Sequence, residues 1–251
     1  MYLAEKKHEN VYYYKDVIPD HKKLIEMIES TELLDDIVPA IPKWNPWYSS
    51  SYDKETFGTR KDVNIEAIPR LDGEAKEVAE YIYNTMSNGF KDVINSFIKD
   101  RGLDIENPNA SSNIFLDILK YVPGCELGSH FDAQDGDKSL VWSIVLYLND
   151  EYEGGELSWK IGGYQGPRAT SIFNESENNK DLVDFWIKPE AGSALIFPST
   201  YPYFHQVHRT MAGERYISTG FIFVDDYNPR DPASVAKYRG GGESKQRDTK
   251  W

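Results

Sequence analysis

Hydrophobic residues follow two different periods along the chain, one helical and one typical of strands. Between Glu74 and about Lys99 they recur every three or four positions, which predicts a long helix with one face packed against a sheet. Gly89 lies inside this segment and predicts a break in the helix. A shorter amphipathic helix is expected after Pro19-Asp20, preceded by a Val- and Tyr-rich strand in Asn10–Tyr14.

After Gly102 the pattern changes to short apolar runs that are separated by turn signals. The predicted strands are Ile114–Tyr121, Leu140–Leu148, Glu156–Lys160, Val183–Ile187, Ser193–Phe197 and Tyr216–Val224. Many short strands that follow helices predict an α+β protein, specifically a double-stranded β-helix (jelly roll) with supporting N-terminal helices. We expect one domain over residues 1–225, with the jelly-roll core at about 112–225 and the strand and helix support in 1–111.

Three segments follow neither period. Prolines, serines and bulky aromatic residues between Pro39 and Asp62 predict a long loop, which is either a surface loop or a lid over a binding site. Ile161–Lys180 is rich in Gly, Asn, Ser and Glu and is predicted as a second loop. Residues 226–251 are polar, and we expect a loose C-terminal tail there.

Composition and charge narrow the classes of protein to consider. The 251 residues are 40% hydrophobic and 14% aromatic, which is enough for an ordered core. A net charge of -13 argues against binding a nucleic-acid backbone. The lone Cys125 excludes an internal disulfide and a cysteine-based zinc cluster. No apolar run reaches the length of a membrane span, so we expect a cytoplasmic protein with no membrane contact.

The candidate chemistry centres on His130-Phe131-Asp132. On a strand, residues two apart point to the same side, so this imidazole and carboxylate would lie together. A third, distant imidazole would complete a 2-His-1-carboxylate triad, the geometry that is diagnostic of non-heme Fe(II) oxygenases. His205 and His208 are the candidates for that third position, each in an apparent connection between strands. Arg215 follows on the next predicted strand, after a turn at Gly213.

An ordered set of motifs extends from these residues. Its members are Tyr121-Val-Pro-Gly, His130-Phe-Asp132, Tyr147-Leu-Asn-Asp, Glu153-Gly-Gly-Glu-Leu157, Lys188-Pro-Glu-Ala-Gly-Ser-Ala-Leu-Ile-Phe-Pro198, and His205-Gln-Val continuing to Gly213-Glu-Arg-Tyr216. The order resembles the Fe(II)/2-oxoglutarate dioxygenases, and within them the prolyl 4-hydroxylase-like group, over roughly residues 115 to 225. The chain departs from the family at Gln206, where Glu is usual, and at His208-Arg209, where the family often has Thr-Pro-Val.

The resemblance implies roles for single residues. His130, Asp132 and His205 would bind Fe(II), with His208 as a neighbour, and Arg215 would pair with the far carboxylate of 2-oxoglutarate. Tyr147 and Tyr121 would contact the same cosubstrate, and core packing is the alternative role for both of them. The implied enzyme would use O2, convert 2-oxoglutarate to succinate and CO2, and take ascorbate as a candidate reductant.

The resemblance favours proline in a peptide or protein as the substrate, as for a procollagen-proline 4-dioxygenase. Six aromatic or basic residues are candidate substrate contacts: Trp44, Trp47, Tyr48, Arg60, Trp142 and Trp159. Core packing is the alternative for the last two, which lie on predicted strands. Other functions stay open: hydroxylation of a free amino acid or small metabolite on the same scaffold, a non-catalytic jelly-roll binding protein, or a cupin-type metal enzyme without 2-oxoglutarate.

Overall fold

Two antiparallel sheets face each other in the computed structural model, which describes residues 4–48, 56–110, 116–133, 137–163, 183–228 and 231–239. The strands are β1 (Glu5–His8), β2 (Val11–Tyr14), β3 (Asn45–Tyr48), β4 (Thr56–Val63), β5 (Leu116–Tyr121), β6 (Leu127–His130), β7 (Leu140–Tyr147), β8 (Glu153–Gly154), β9 (Leu157–Ile161), β10 (Phe185–Ile187), β11 (Ser193–Pro198), β12 (Tyr203–Val207), β13 (Thr210–Ala212) and β14 (Arg215–Phe223). The helices are α1 (His21–Ser30), α2 (Gly73–Arg101) and α3 (Pro232–Arg239), with single 3-10 turns at Thr31–Leu33, Asp35–Ile37 and Ile68–Arg70.

The larger sheet, called the major sheet below, has eight strands in the order β1-β2-β11-β7-β14-β5-β4-β3. The minor sheet has four strands in the order β10-β9-β12-β6, and β8 pairs with β13 in a separate ribbon. This arrangement confirms the predicted α+β class with a double-stranded β-helix. Among the described helices, none combines the length and apolarity that a membrane crossing requires.

The strands β2, β11, β7, β14 and β5 of the major sheet contribute to two separate cores, because successive side chains point to opposite faces. On the outer face, residues such as Leu146 and Ile196 pack with Phe90 of α2 and its neighbours. On the inner face, Val145 and Leu195 pack with residues of the minor sheet. The chain therefore places a helix-covered core and a core between the sheets on either side of one sheet.

The long amphipathic helix is confirmed, but the predicted break at Gly89 is wrong, because α2 is continuous from Gly73 to Arg101. A Cβ at Gly89 would lie 3.2 Å from Cγ1 of Ile18 and 3.5 Å from Cδ1 of Leu146. The glycine therefore allows the helix to approach the sheet closely. The helix ends at Gly102, whose φ of 61° is the left-handed conformation common at helix C-termini.

The prediction of a long loop between Pro39 and Asp62 is wrong for Asn45–Tyr48 and from Thr56 onward, because β3 and β4 pair there and extend the major sheet. Strand β4 pairs with β5 from Thr59↔Lys120 to Val63↔Leu116. Pro46 is tolerated in β3 because this strand lies at the edge of the sheet. Residues 49–55, between the two strands, lie outside the described residues.

Most predicted strands agree with the structure to within a few residues. The exception near the candidate site is β12, which carries His205 where a connection was expected. In the expected C-terminal tail, Pro232–Arg239 form α3, and Tyr238 packs with Tyr227 at a ring-centroid distance of 5.8 Å, so this part is not loose. Most of the predicted loop Ile161–Lys180, from residue 164 onward, lies outside the described residues.

Candidate active site

Three predicted metal ligands meet at the end of the minor sheet. β6 and β12 are neighbours, and their register places His205 opposite His130. Nε2 of His130 lies 3.3 Å from Oδ1 of Asp132, and Nε2 of His205 lies 3.6 Å from the same oxygen. All three ligand atoms fall within 4.8 Å of one another. Neighbouring ligands of an octahedral ion, with bonds of about 2.1 Å, lie about 3 Å apart, so this set fits around one metal ion after a small contraction.

Backbone carbonyls orient both imidazoles. Nδ1 of His130 lies 2.7 Å from the carbonyl oxygen of Gly128, and Nδ1 of His205 lies 3.3 Å from that of Tyr203. A carbonyl oxygen can only accept, so each Nδ1 carries a proton and Nε2 is the ring nitrogen that faces the triad. Protein metal sites commonly fix the tautomer of a histidine ligand in this way.

The charge states of the triad suit a cation. Burial works against the charge on Asp132, but His205, His130 and Ser143 together lower the pKa of this carboxyl below its usual value. Burial lowers the pKa of His205 to about 4. The pKa of His130 is raised, because its interaction with Asp132 outweighs burial. Near neutral pH the site therefore offers a carboxylate and at least one neutral imidazole.

Asp132 differs from the prediction in one respect. Strand β6 ends at His130, and Asp132 lies in the bend that follows, not on the strand. The alternation of strand side chains therefore does not explain why the two ligands meet. The hydroxyl of Ser143, on β7 of the opposite sheet, donates to Oδ2 of Asp132 and holds the carboxylate in place. Sequence reasoning missed Ser143, because the contact joins two separate sheets.

The second candidate for the third imidazole, His208, lies outside the triad. Its Nε2 is 2.7 Å from Oγ of Ser158, and the side chain is buried. The structure thus brings His205, and not His208, to His130 and Asp132.

A buried arginine dominates the inner face of the major sheet. Arg215 is 0% exposed, and Nε, Nη1 and Nη2 have no hydrogen-bond partner among the described residues. Its guanidinium carbon lies 4.8 Å from the ring centre of Tyr121 and 5.3 Å from that of Tyr147. A guanidinium stays charged when buried and matches a carboxylate as a two-pronged donor. An uncompensated buried charge is costly, so this pocket is suited to an anion.

Two tyrosine hydroxyls add to these donors. The hydroxyls of Tyr147 and Tyr152 are buried and lack a partner among the described residues. Burial raises the pKa of both phenols, although Arg215 opposes the shift, so both stay neutral and can donate. Burial likewise raises the pKa of Tyr121 to about 12.

Tyr152 was not predicted from the sequence. A Cβ placed on Gly155 would lie 2.9 Å from Cδ of Arg215 and 3.0 Å from Cε2 of Tyr152, so both side chains pack over this glycine. The only sequence signal is an aromatic residue shortly before the Gly154-Gly155 turn. That signal is equally typical of core packing.

Comparison with known proteins agrees with this geometry. Residues 116–223 match the model of the 2OG-Fe(II) oxygenase superfamily, and this span holds the triad, Arg215 and its three tyrosines. This stretch of the chain is therefore similar to the oxygenase domains of that superfamily. The matched superfamily, by its name, is one of Fe(II)- and 2-oxoglutarate-dependent oxygenases, and this agrees with the dioxygenase expected from the sequence.

Proteins similar to this chain include hydroxylases. A PKHD-type hydroxylase of Prochlorococcus marinus (strain AS9601) is 27% identical over 179 residues, which are 70% of this chain and 66%, just under two thirds, of the relative. A prolyl hydroxylase of Trichoplax adhaerens, solved with a peptide fragment of the hypoxia inducible factor oxygen degradation domain, superposes with a TM-score of 0.54 at 14% identity, over 85% of this chain and 83% of that one. A Pseudomonas putida prolyl-4-hydroxylase gives a TM-score of 0.48 at 16% identity, over 85% and 92%.

Two of the six candidate substrate contacts lie on the outer face of the major sheet, which is covered by helix α2. Trp142 packs on Phe97 of α2, with ring centres 4.7 Å apart, because even-numbered residues of β7 face outward. Trp44 also lies outside, with the ammonium groups of Lys120 and Lys61 at 4.5 Å and 4.8 Å from its ring centre. Neither tryptophan lines the site.

Three of the other candidates lie on the inner side, and the side chain of the fourth lies outside the described residues. Trp47 contacts Tyr121, with ring centres 6.3 Å apart. Arg60 donates to Asp117 and Asp62 from β4. Trp159 is 0% exposed between Phe185 and Phe197, which makes it part of the core and not a surface for substrate. The side chain of Tyr48 lies outside the described residues.

Proposed function

We propose that this oxygenase hydroxylates proline residues in a peptide or protein, and that it couples the hydroxylation to oxidative decarboxylation of 2-oxoglutarate to succinate and CO2. One observation carries the proposal: the guanidinium of Arg215 is fully buried beside the rings of Tyr121 and Tyr147, and it has no hydrogen-bond partner among the described residues. The same chain brings His130, Asp132 and His205 together. A metal site without a dicarboxylate cosubstrate would not require that guanidinium.

In this proposal His130, Asp132 and His205 hold Fe(II). Iron and 2-oxoglutarate, when bound, supply the oxidising chemistry. Arg215 receives the far carboxylate of 2-oxoglutarate, and Tyr147, Tyr152 and Tyr121 line the same pocket.

The inner-face core completes the site by excluding water. Leu195 and Phe197 are at most 1% exposed, and Phe197 packs against the ring of His205 at 4.7 Å. A dry surround protects a reactive centre from side reactions. Strands β2 and β4 extend the same sheet as β5 and β14, so residues 1–225 act as one domain in this proposal.

The choice of a peptidyl substrate rests on the relatives. The Trichoplax adhaerens protein, which shares the fold, is a prolyl hydroxylase in complex with a peptide fragment. The triad is open enough for such a substrate, because the side chains of His130 and Asp132 are 32% and 19% exposed. Trp47 and Arg60, on the hairpin beside the inner face, are the proposed peptide contacts.

Mass spectrometry tests the proposal. The protein would be incubated with Fe(II), 2-oxoglutarate and ascorbate in air, together with proline-containing peptides and, separately, a panel of free amino acids and metabolites. We expect a gain of one oxygen on a peptide proline, with succinate formed alongside. Oxygen gained only by a small molecule would reject the peptidyl substrate, and failure to form succinate with any substrate would reject the hydroxylase.

A further inference from the structure

Two buried serines lie between Asp132 and the middle of the major sheet. Ser143 is 1% exposed and Ser199 is 0% exposed. Oγ of Ser143 lies 2.5 Å from Oδ2 of Asp132, and the two serine oxygens lie 2.8 Å apart. Ser143 belongs to β7, and Ser199 directly follows β11, the strand that pairs with β7. The metal-site carboxylate is therefore connected to the sheet opposite the one that carries both histidines.

The direction of these hydrogen bonds follows from donor counting. An ionised carboxylate can only accept, so the single hydroxyl proton of Ser143 points at Asp132. Ser143 must then accept from its other neighbour, and Ser199 donates to it. In this chain of hydrogen bonds, Ser199 donates to Ser143 and Ser143 donates to Asp132.

The contact also divides the two oxygens of Asp132 between two tasks. Oδ2 accepts from Ser143, whereas Oδ1 is the oxygen that lies 3.3 Å and 3.6 Å from Nε2 of His130 and His205. Only Oδ1 is directed at the space between the imidazoles.

We propose that Ser143, supported by Ser199, is a positioning residue that holds Asp132 with Oδ1 toward the two imidazoles. The inference rests on the proposed metal site. It adds to that site a pair of hydroxyls that the triad itself does not contain.

Ser199 holds the backbone as well. Its carbonyl accepts from the amide of Ala133 at 2.8 Å, and its own amide donates to the carbonyl of Val141 at 3.0 Å. Asp132 lies beyond the end of β6, where no strand partner fixes it. The ends of the neighbouring strands β7 and β11 thus fix both the backbone after Asp132 and the direction of its carboxylate.

Calorimetric titration of the metal-free protein with Mn(II), without cosubstrate, tests this role independently of turnover. Outer contacts to metal ligands contribute about 10- to 100-fold in metal affinity, so we expect Ser143→Ala to weaken Mn(II) binding by that factor. Ser143→Thr keeps the hydroxyl and should recover most of the affinity. Ser199→Ala leaves the contact with Asp132 in place and should give a smaller loss.

Ser218→Ala is the matched control. Ser218 is a 0% exposed serine on the neighbouring strand β14, and its hydroxyl donates to the backbone carbonyl of Asp117 instead of a metal-site residue. Its Mn(II) affinity should equal that of the wild type. The rise in Tm on adding Mn(II) should shrink in Ser143→Ala and not in Ser218→Ala, which separates positioning from a general loss of stability.

Two results would overturn the inference in different ways. Tight Mn(II) binding by the wild type with equal affinity in Ser143→Ala would reject the role of Ser143 and leave the proposed function standing. Absence of Mn(II) and Fe(II) binding by the wild type would reject the metal site, and with it both proposals.

Discussion

Alternating residues of the same strands form the two faces of the major sheet. The two faces differ in the chemistry of the side chains they bury. On the outer face, Ile144 and Leu146 of β7 pack against the apolar side of α2. On the inner face, the same strand presents Ser143 to Asp132 and places Tyr147 beside Arg215. Along β7 the outer face is apolar and closely packed. The inner face instead holds Tyr147 and Arg215, whose buried donor groups have no hydrogen-bond partner among the described residues.

The difference indicates that the outer face contributes mainly to the stability of the fold and the inner face mainly to ligand binding. Burial of apolar side chains stabilises a fold by about 25 cal/mol per Å². A buried guanidinium without a hydrogen-bond partner destabilises the fold, and a bound anion relieves that cost. Substitutions on the outer face should therefore change the free energy of unfolding, and substitutions on the inner face should change ligand binding.

The largest expected effect is on the inner side. Asp132→Ala or His205→Ala should abolish succinate formation, because each removes one of three ligands that meet within 4.8 Å. The assay measures succinate after incubation with Fe(II) and 2-oxoglutarate. His208→Ala serves as the comparison and should retain turnover, because His208 bonds to Ser158 outside the triad. Full turnover by either ligand variant would contradict the assignment.

On the outer face, Phe90→Ala should lower the free energy of unfolding by about 3–5 kcal/mol, the usual cost of removing a buried aromatic ring. Phe90 is 0% exposed and fills the space beside Gly220, where an added Cβ would collide with its ring. Urea unfolding measures the loss. Mn(II) affinity of the folded variant should stay at the wild-type value, and a large drop in that affinity would show that the two faces are not separable.

Arg215→Met should weaken 2-oxoglutarate binding by about 2–5 kcal/mol, because the carboxylate loses a buried, charged partner. Titration with 2-oxoglutarate in the presence of Mn(II) measures this change, and Mn(II) binding alone should be nearly unaffected. In urea without cosubstrate, the variant should be at least as stable as the wild type, since it removes a fully buried charge. Unchanged cosubstrate affinity would remove the main support for the proposed function.

Tyr152→Phe should have a smaller effect of the same kind. The loss of one neutral hydrogen bond is about 0.5–1.5 kcal/mol, so 2-oxoglutarate affinity should fall by roughly 2- to 13-fold. Tyr14→Phe is the control, because Tyr14 is a 0% exposed tyrosine whose hydroxyl donates to Asp100. Equal affinities for the two variants would show that Tyr152 serves only to fill space.

A pH titration of stability probes a buried polar group that does have a hydrogen-bond partner, Asp117. Burial raises the pKa of Asp117 to about 7, although Arg60 opposes this shift. The pKa of an Asp side chain in the unfolded chain is about 3.9. At pH values between these two pKa values, the folded state therefore binds more protons than the unfolded state. This carboxyl therefore destabilises the fold increasingly as pH rises from about 4 to 7.

Asp117→Asn should remove that slope. Urea midpoints measured at several pH values would show a flatter profile for the variant, while Arg60 keeps its second partner, Asp62. Identical profiles for variant and wild type would show that Asp117 is ionised in the fold like an ordinary surface carboxylate.

Much of the fold and part of the site could be predicted because they depend on local pattern. The helical period identified α2, and the apolar runs identified β7, β11 and β14. The hairpin of β3 and β4 could not be predicted, because its prolines, serines and glycine are typical of loops, and pairing with β5 overrides that preference. The same holds for Gly89, where the approach of the sheet decides the conformation.

The sequence by itself determined the order of the chemical groups: a histidine and an aspartate close together, a later histidine, and an arginine on the last long strand. That order is what resembles the matched superfamily. Only the tertiary structure decided that Asp132, off the strand, is aimed by a serine of the opposite sheet, and that Arg215 is buried without a partner among the described residues. These features arise from contacts between distant segments, which no periodicity within one segment encodes.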